Sequence, residues 1–282
     1  MKFGALLCEV GEHMAATTTA ALLWAALWTA LAGPTHAQVA PSVSGILPAG
    51  TPDTSPRPSV VIVHGAFADG SDWSQVIAML QSEGLKVTAV QLPLSSLAQD
   101  VEVTRRAIAH QSGNVVLVGH SWGGTVITQA GIDPKVVSLV YVAAFAPDVG
   151  QSVADLAAMF PAPSGSHHLL LDERGFVRLS DEGIRDHFAQ DVAHEVSAVM
   201  AATQGPIQAK SFEQPVFAAA WAAKPCWFVV TAQDRMIAPE LQSAMARRIG
   251  AWTIRVQSSH VPQRSHPAEV SAVILKAVVH GD

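Results

Sequence analysis

The stretch Asn114-Val-Val-Leu-Val-Gly-His-Ser-Trp-Gly-Gly124 holds the residues whose types and spacing speak most directly of chemistry. Ser121 lies in Gly119-x-Ser121-x-Gly123, immediately after the apolar run Val115 to Val118. A serine in that frame fits a nucleophile elbow, in which a strained strand-to-helix turn exposes the hydroxyl above a sheet. Side chains at 119 and 123 would meet neighbouring backbone, so glycine has a steric reason to occupy both. A helix opening at Trp122 turns its positive end towards the place where an oxyanion would form. The bland alternative is a Gly-rich turn with an incidental serine, since so short a pattern recurs by chance. Context argues against that alternative, because both the strand before and the helix after are legible.

The elements that must hold such a turn are readable along the chain. Ser59–Val63 is a continuous apolar run, as expected of a parallel strand covered on both faces. It leads into His64-Gly-Ala-Phe-Ala-Asp-Gly70, after which Ser71 or Asp72 can cap a helix carrying Val76, Ile77 and Leu80 on one face. Strands follow at Leu85–Val90, at the run before Ser121, and at Val136–Ala143, with an amphipathic helix around Val101 and Ile108. The alternation predicts an α/β domain with a mostly parallel central sheet and helices on both faces. It stops at about residue 147 and resumes with the strand Cys226–Thr231, a helix at Pro239–Ile249, a strand at Trp252–Val256 and a helix at Pro267–Val279. The intervening stretch, about 147–223, reads as an inserted helical cap. Its clearest element is one helix from Ser180-Asp181 that carries Ile184, Phe188, Val192 and Val196 at four-residue spacing.

Composition bounds what this domain can be. Of 282 residues, 49% are hydrophobic and 14% charged, enough for a large core and unlike a disordered chain. Net charge is −6, and the adjacent basic pairs Arg105-Arg106 and Arg247-Arg248 fall on predicted helices, so no nucleic-acid footprint is expected. The two cysteines, Cys8 and Cys226, imply no disulfide framework, and Cys226 reads as a small buried hydrophobe. Met14 to Ala32 is apolar or small, and Gly33-Pro34 followed by Thr35-His36-Ala37 resembles the cleavage end of a secretory signal peptide. Residues 1–37 are therefore expected to be a signal peptide, 38–58 an irregular arm, and 59–282 the domain. On this reading the mature protein is periplasmic or secreted and has no stable membrane association. An uncleaved anchor is the competing reading, because the apolar run approaches a bilayer-spanning length.

Together the loop motifs His64-Gly-Ala-Phe-Ala-Asp-Gly70 and Gly119-His-Ser-Trp-Gly-Gly124, with Thr231-Ala-Gln-Asp-Arg-Met-Ile-Ala-Pro-Glu240, resemble the small esterase-like members of the α/β-hydrolase fold superfamily. The resemblance runs from Ser59 to the end of the chain. It implies a chain order of nucleophile, acid and histidine, which here gives Ser121, Asp234 and His260, each just past a strand. His260 would take the serine proton, and Asp234 would hold the imidazole tautomer and stabilise the imidazolium. Asp148 is the alternative acid, and His266 the alternative histidine. The resemblance further implies an oxyanion hole of backbone N–H groups from Trp122 and Ala66, with Phe67 as the neighbouring candidate. His64 and His120 are expected to brace the two loops.

No metal site is expected, since His167, His168, His187 and His194 lack a partner cluster of metal-ligand spacing. No dinucleotide fingerprint follows a strand, and no cofactor is expected. The reading that follows is a carboxylic ester hydrolase using a small, largely apolar ester as its partner. Phe67, Met159, Phe160 and Phe188 are its candidate substrate-binding residues, with Met200 and Phe217 as further wall candidates. Two alternatives stand beside it. A cyanohydrin lyase on this fold would carry lysine after the histidine, where this chain has Val261. A receptor that binds without turnover would keep the pocket, because fold does not fix function.

Overall fold

The computed structural model describes residues 57–281. The signal-peptide reading of 1–37, Cys8, and the arm 38–58 except for its last two residues lie outside them. Six strands make the central sheet: β1 (Ser59–Val63), β2 (Val87–Val90), β3 (Val115–His120), β4 (Val136–Val142), β8 (Cys226–Thr231) and β9 (Trp252–Val256). Their spatial order is β2-β1-β3-β4-β8-β9 and every pairing is parallel, so all six carboxyl ends share one edge.

Alternate residues of β1, β3, β4 and β8 feed two separate cores, which is why those runs are mostly apolar. Val61, Val63, Leu117, Leu139, Tyr141 and Phe228 face the core under helices Leu97–Ala109, Trp122–Ala130 and Pro239–Arg248. Val60, Ile62, Val116, Val118, Val140 and Val229 face the core under Ser74–Ser82 and Pro267–His280. Cys226 is a free thiol buried at the start of β8, and burial pushes it up to about 12. No helix among the described residues is long and apolar enough to cross a membrane.

Between β4 and β8 the chain leaves the sheet. Two features of this stretch differ from the sequence expectation. It carries a three-stranded antiparallel sheet of β5 (Leu169–Leu171), β6 (Phe176–Leu179) and β7 (Ile207–Gln208), alongside its helices. The expected single helix from Ser180 is broken into a short α-turn at Asp181–Gly183, a π-turn at Ile184–Phe188 and a separate helix at His194–Thr203. Ala189 closes the π-turn by donating to the Ile184 carbonyl, then leaves helical geometry at φ −136°. His187 and His194 therefore do not share a helix face; His187 stacks on His168 with ring centroids 4.3 Å apart.

Backbone strain gathers at the carboxyl edge. Phe67, Leu94, Ser121 and Ala143 have positive φ (61°, 55°, 51° and 45°), and each follows one of the strands β1 to β4. Such conformations cost about 1–3 kcal/mol apiece for residues with a side chain, and they persist only where surrounding structure holds them.

Candidate active site

Ser121 sits between the end of β3 and the helix Trp122–Ala130, at φ 51° and ψ −119°. Close approach makes this turn possible. A Cβ at Gly119 would lie 2.6 Å from the Gly123 carbonyl oxygen, and one at Gly123 would lie 2.7 Å from that of His64. Ser121 is 8% exposed and opens, with His260, onto a cavity of about 290 Å³. His260 follows β9 and is almost wholly buried; its Nδ1 bonds Asp234 Oδ2 at 2.8 Å. With Nδ1 donating to a carboxylate, a neutral ring keeps its lone pair on Nε2, the atom able to accept a serine proton. Among the described residues no hydrogen bond joins that ring to Ser121 Oγ. Catalytic bonds of this kind commonly tighten only when substrate is bound.

Asp234 is fixed from several directions. Its Oδ1 accepts from the N–H groups of Met236 (2.7 Å) and Ile237 (2.9 Å). Its Oδ2 accepts from Thr231 Oγ1 (2.9 Å) and Gln242 Nε2 (2.7 Å) as well as from His260. Burial alone would push this carboxyl up, but the His260 imidazole and the two backbone donors outweigh it and hold it below the usual carboxylate value. An aspartate so held can face an imidazolium without taking its proton.

The rival residues lie elsewhere. Asp148 is exposed and accepts from the N–H of Val149, and His266 Nδ1 bonds Ser265 Oγ at the start of the last helix. His64 and His120 brace loops. His64 Nδ1–H donates to the Gly65 carbonyl and its Nε2 accepts from Leu92 N, joining the loops after β1 and β2. His120 Nε2 donates to the His260 carbonyl at 2.8 Å. Burial, and next the neighbouring His260 ring, push His120 down to about 3, so it is a neutral strut.

The N–H groups of Ala66, Phe67 and Trp122 donate to no protein acceptor among the described residues, and all three residues line the cavity beside Ser121. Unspent donors at that place are what an oxyanion hole requires. Phe160 and Phe188 also line the cavity. Met159 does not: it lies just past the helix Val153–Ala157, is 61% exposed and points away from the wall. Met200 is buried in the core and Phe217 is 78% exposed, so neither forms the wall. The wall includes Ala154, Ala157, Ala158, Phe212, Met236 and Ile237, none of which the sequence marks as pocket residues. Among the described residues of the wall, His260 is the titratable side chain and Ser121 and Ser166 supply the side-chain hydroxyls.

Asp100 also belongs to the site without a mark in the sequence. It is fully buried on the helix Leu97–Ala109, where it accepts from the indole N–H of Trp122 (2.8 Å) and from the N–H of the strained Leu94 (2.9 Å). It thereby ties the residue after Ser121 to the loop after β2. Burial pushes its carboxyl up to about 6, against the two bonds. A carboxyl raised in the fold stabilises it fully below the usual value near 3.8 and loses that contribution as pH climbs through about 6. Asparagine at this position has one acceptor oxygen for two donors, a loss of about 1–3 kcal/mol, but no charge to bury. Relative to wild type, Asp100→Asn is therefore expected to become more stable as pH rises from about 4 towards 8, as read by urea unfolding.

Comparison with known proteins agrees with the architecture. Residues 60–273 match the family model described as Alpha/beta hydrolase family. Probable hydrolase R7 of a Phoma species is 26% identical over 246 residues, covering 77% of this chain and 97% of that protein. Alpha/beta hydrolase nvfD of Aspergillus novofumigatus is 27% identical over 243 residues, covering 78% and 96%. The crystal structure of polyneuridine aldehyde esterase superposes with a TM-score of 0.67 at 19% identity, over 78% of this chain and 99% of that one, a likeness of fold. With the family match running from the first strand into the last helix, this chain belongs to the alpha/beta hydrolase family.

Proposed function

We propose that this protein is a serine hydrolase that cleaves small, largely apolar carboxylic esters through an acyl-enzyme. One observation carries the reading: Ser121 and His260 wall the same apolar cavity, and the far nitrogen of that imidazole is 2.8 Å from Asp234. Ser121 Oγ attacks the ester carbonyl carbon and its proton passes to His260 Nε2. The carbonyl oxygen becomes an oxyanion held by the N–H groups of Trp122 and Ala66 or Phe67. Collapse expels the alcohol, which takes the proton back from His260. Water then attacks the acyl-enzyme by the same route and releases the acid. The imidazolium formed in each half is stabilised by Asp234, the charge that burial makes most effective.

Cavity size and lining support the substrate class. About 290 Å³ walled by alanine, phenylalanine and proline side chains suits an apolar acyl or alcohol group and offers no counter-charge to an acid or amine. Similarity to a probable hydrolase over most of the chain favours the same chemistry. The test is a fluorophosphonate probe together with a series of p-nitrophenyl esters. Covalent labelling of Ser121 with turnover of short and medium acyl chains is expected. Tight ligand binding with neither labelling nor turnover would sink the reading in favour of a receptor. Ala157, at the end of the helix Val153–Ala157, gives a finer check. Ala157→Phe is expected to lower kcat/KM for the hexanoate about tenfold or more while leaving the acetate nearly unchanged, since only the longer chain needs the space.

A further inference from the structure

Beyond the residues that face the cavity, the stretch after the π-turn carries two adjacent side chains that reach the loops bearing the acid and the base. Gln190 Nε2 donates to the carbonyl of Gln233, the residue before Asp234, at 2.8 Å. Asp191 Oδ2 accepts from the N–H of Ser259, the residue before His260, also at 2.8 Å. The two loops already meet, because Gln233 N donates to the Ser258 carbonyl at 3.1 Å. The cap stretch thus grips both sides of one seam. Two residues earlier, Phe188 lays its ring 5.0 Å from that of His260. The next residue of the acid loop is held from the same turn, since Arg235 Nη1 donates to the Asp186 carbonyl at 2.7 Å.

The bonding is expensive for a purely structural joint. Gln190 Oε1 and Asp191 Oδ1 are buried with no partner among the described residues, and such atoms ordinarily find one. A carboxylate on a backbone N–H is among the stronger hydrogen bonds, and here it is directed at the peptide that sets where His260 begins. We infer that Gln190 and Asp191 are positioning residues, through which the stretch between β4 and β8 sets the Asp234–His260 pair for proton transfer. This rests on the hydrolase reading for its consequence in turnover, though not for its geometry. Neither residue lines the cavity, so neither is expected to act on substrate affinity.

The experiment compares Asp191→Ala, Asp191→Asn and Gln190→Ala in the full chain, with active sites counted by fluorophosphonate titration so that unfolded protein is not scored. Asp191→Ala is expected to lower kcat about 10- to 100-fold with KM for p-nitrophenyl butyrate nearly unchanged. Asp191→Asn, whose amide oxygen can still accept from Ser259, is expected to restore most of it, and Gln190→Ala to show a smaller loss of the same kind. The far-downfield proton resonance of His260 Nδ1–H reads the geometry without substrate. It should broaden or vanish in Asp191→Ala and persist in Asp191→Asn. An unchanged resonance in Asp191→Ala, a loss confined to KM, or an asparagine variant as impaired as alanine would each overturn the inference. A wild type inert to esters and phosphonate would overturn the hydrolase reading instead, and the resonance would still decide the clamp.

Discussion

Ser121→Ala is expected to lower ester turnover about 10⁶-fold and to abolish phosphonate labelling, with the fold intact. The change removes one oxygen atom. Alanine tolerates φ 51° no worse than serine does, because both carry a Cβ, so the strained elbow gains no new strain. The side chain is packed through its Cβ: a Cβ built on Gly65 would come within 2.8 Å of it, and alanine keeps that surface. Stability should therefore move by no more than about 0.5–1 kcal/mol, and Tm by a few degrees. KM should also stay close to its wild-type value, since the apolar wall is untouched. Some turnover should survive, because N–H groups at Ala66, Phe67 and Trp122 can polarise a bound ester for attack by water. The measurement is single-turnover hydrolysis on protein from which traces of wild type have been excluded. A variant within tenfold of wild type would mean that Ser121 is no nucleophile, however well the elbow is built.

How far the sequence discloses this site depends on which physical signal each part carries. The strands β1, β3 and β8 are readable because both their faces are buried, so the apolar run and the strand coincide, as at Cys226–Thr231. The elbow is readable because glycine is demanded by contact, and Gly119 and Gly123 show the contact. Asp100 is invisible by the same logic. On an amphipathic helix it looks like any solvated acid, and its role depends on Trp122, 22 positions later. The region between β4 and β8 is opaque for other reasons. Strands as short as Ile207–Gln208 leave no period to detect. The π-turn preserves the apolar spacing of Ile184 and Phe188 while changing where the chain goes next. Cavity walls of alanine carry no signal at all, since Ala154 and Ala157 read alike whether they face a core, a substrate or solvent. Met159 is the converse error: a large apolar side chain that sequence favours for a pocket, set between the wall residues Ala158 and Phe160 but itself 61% exposed.

Asp234→Asn is expected to cost about 10⁴-fold in kcat, and the hydrogen-bond pattern says why the loss should be so large for so small a change. Asp234 Oδ1 accepts two backbone N–H groups, from Met236 and Ile237, which only an oxygen can satisfy. The asparagine carbonyl must therefore take that side, leaving its NH₂ to face His260 Nδ1 and Gln242 Nε2. An NH₂ there forces Nδ1 to accept, so the ring proton moves to Nε2, the atom that should be empty to take the serine proton. The imidazole is left in the wrong tautomer with its geometry nearly unchanged. Gln242 suffers too, because its amide donor now meets a donor, while its Oε1 is already engaged by the N–H of Thr231 at 3.0 Å. That clash should lower stability by about 1–3 kcal/mol. Wild type carries a matching acid sensitivity. A carboxyl held below its usual value near 3.8 contributes stability above that value and loses it as pH falls through the lower, folded value. The asparagine variant lacks this component, so its stability deficit should narrow below about pH 4 in urea unfolding. Its activity should instead rise with pH more steeply than that of wild type, as hydroxide replaces the missing base. A loss below about tenfold would mean that another group orients His260, and with no other side-chain partner on that ring among the described residues the proton path itself would need redrawing.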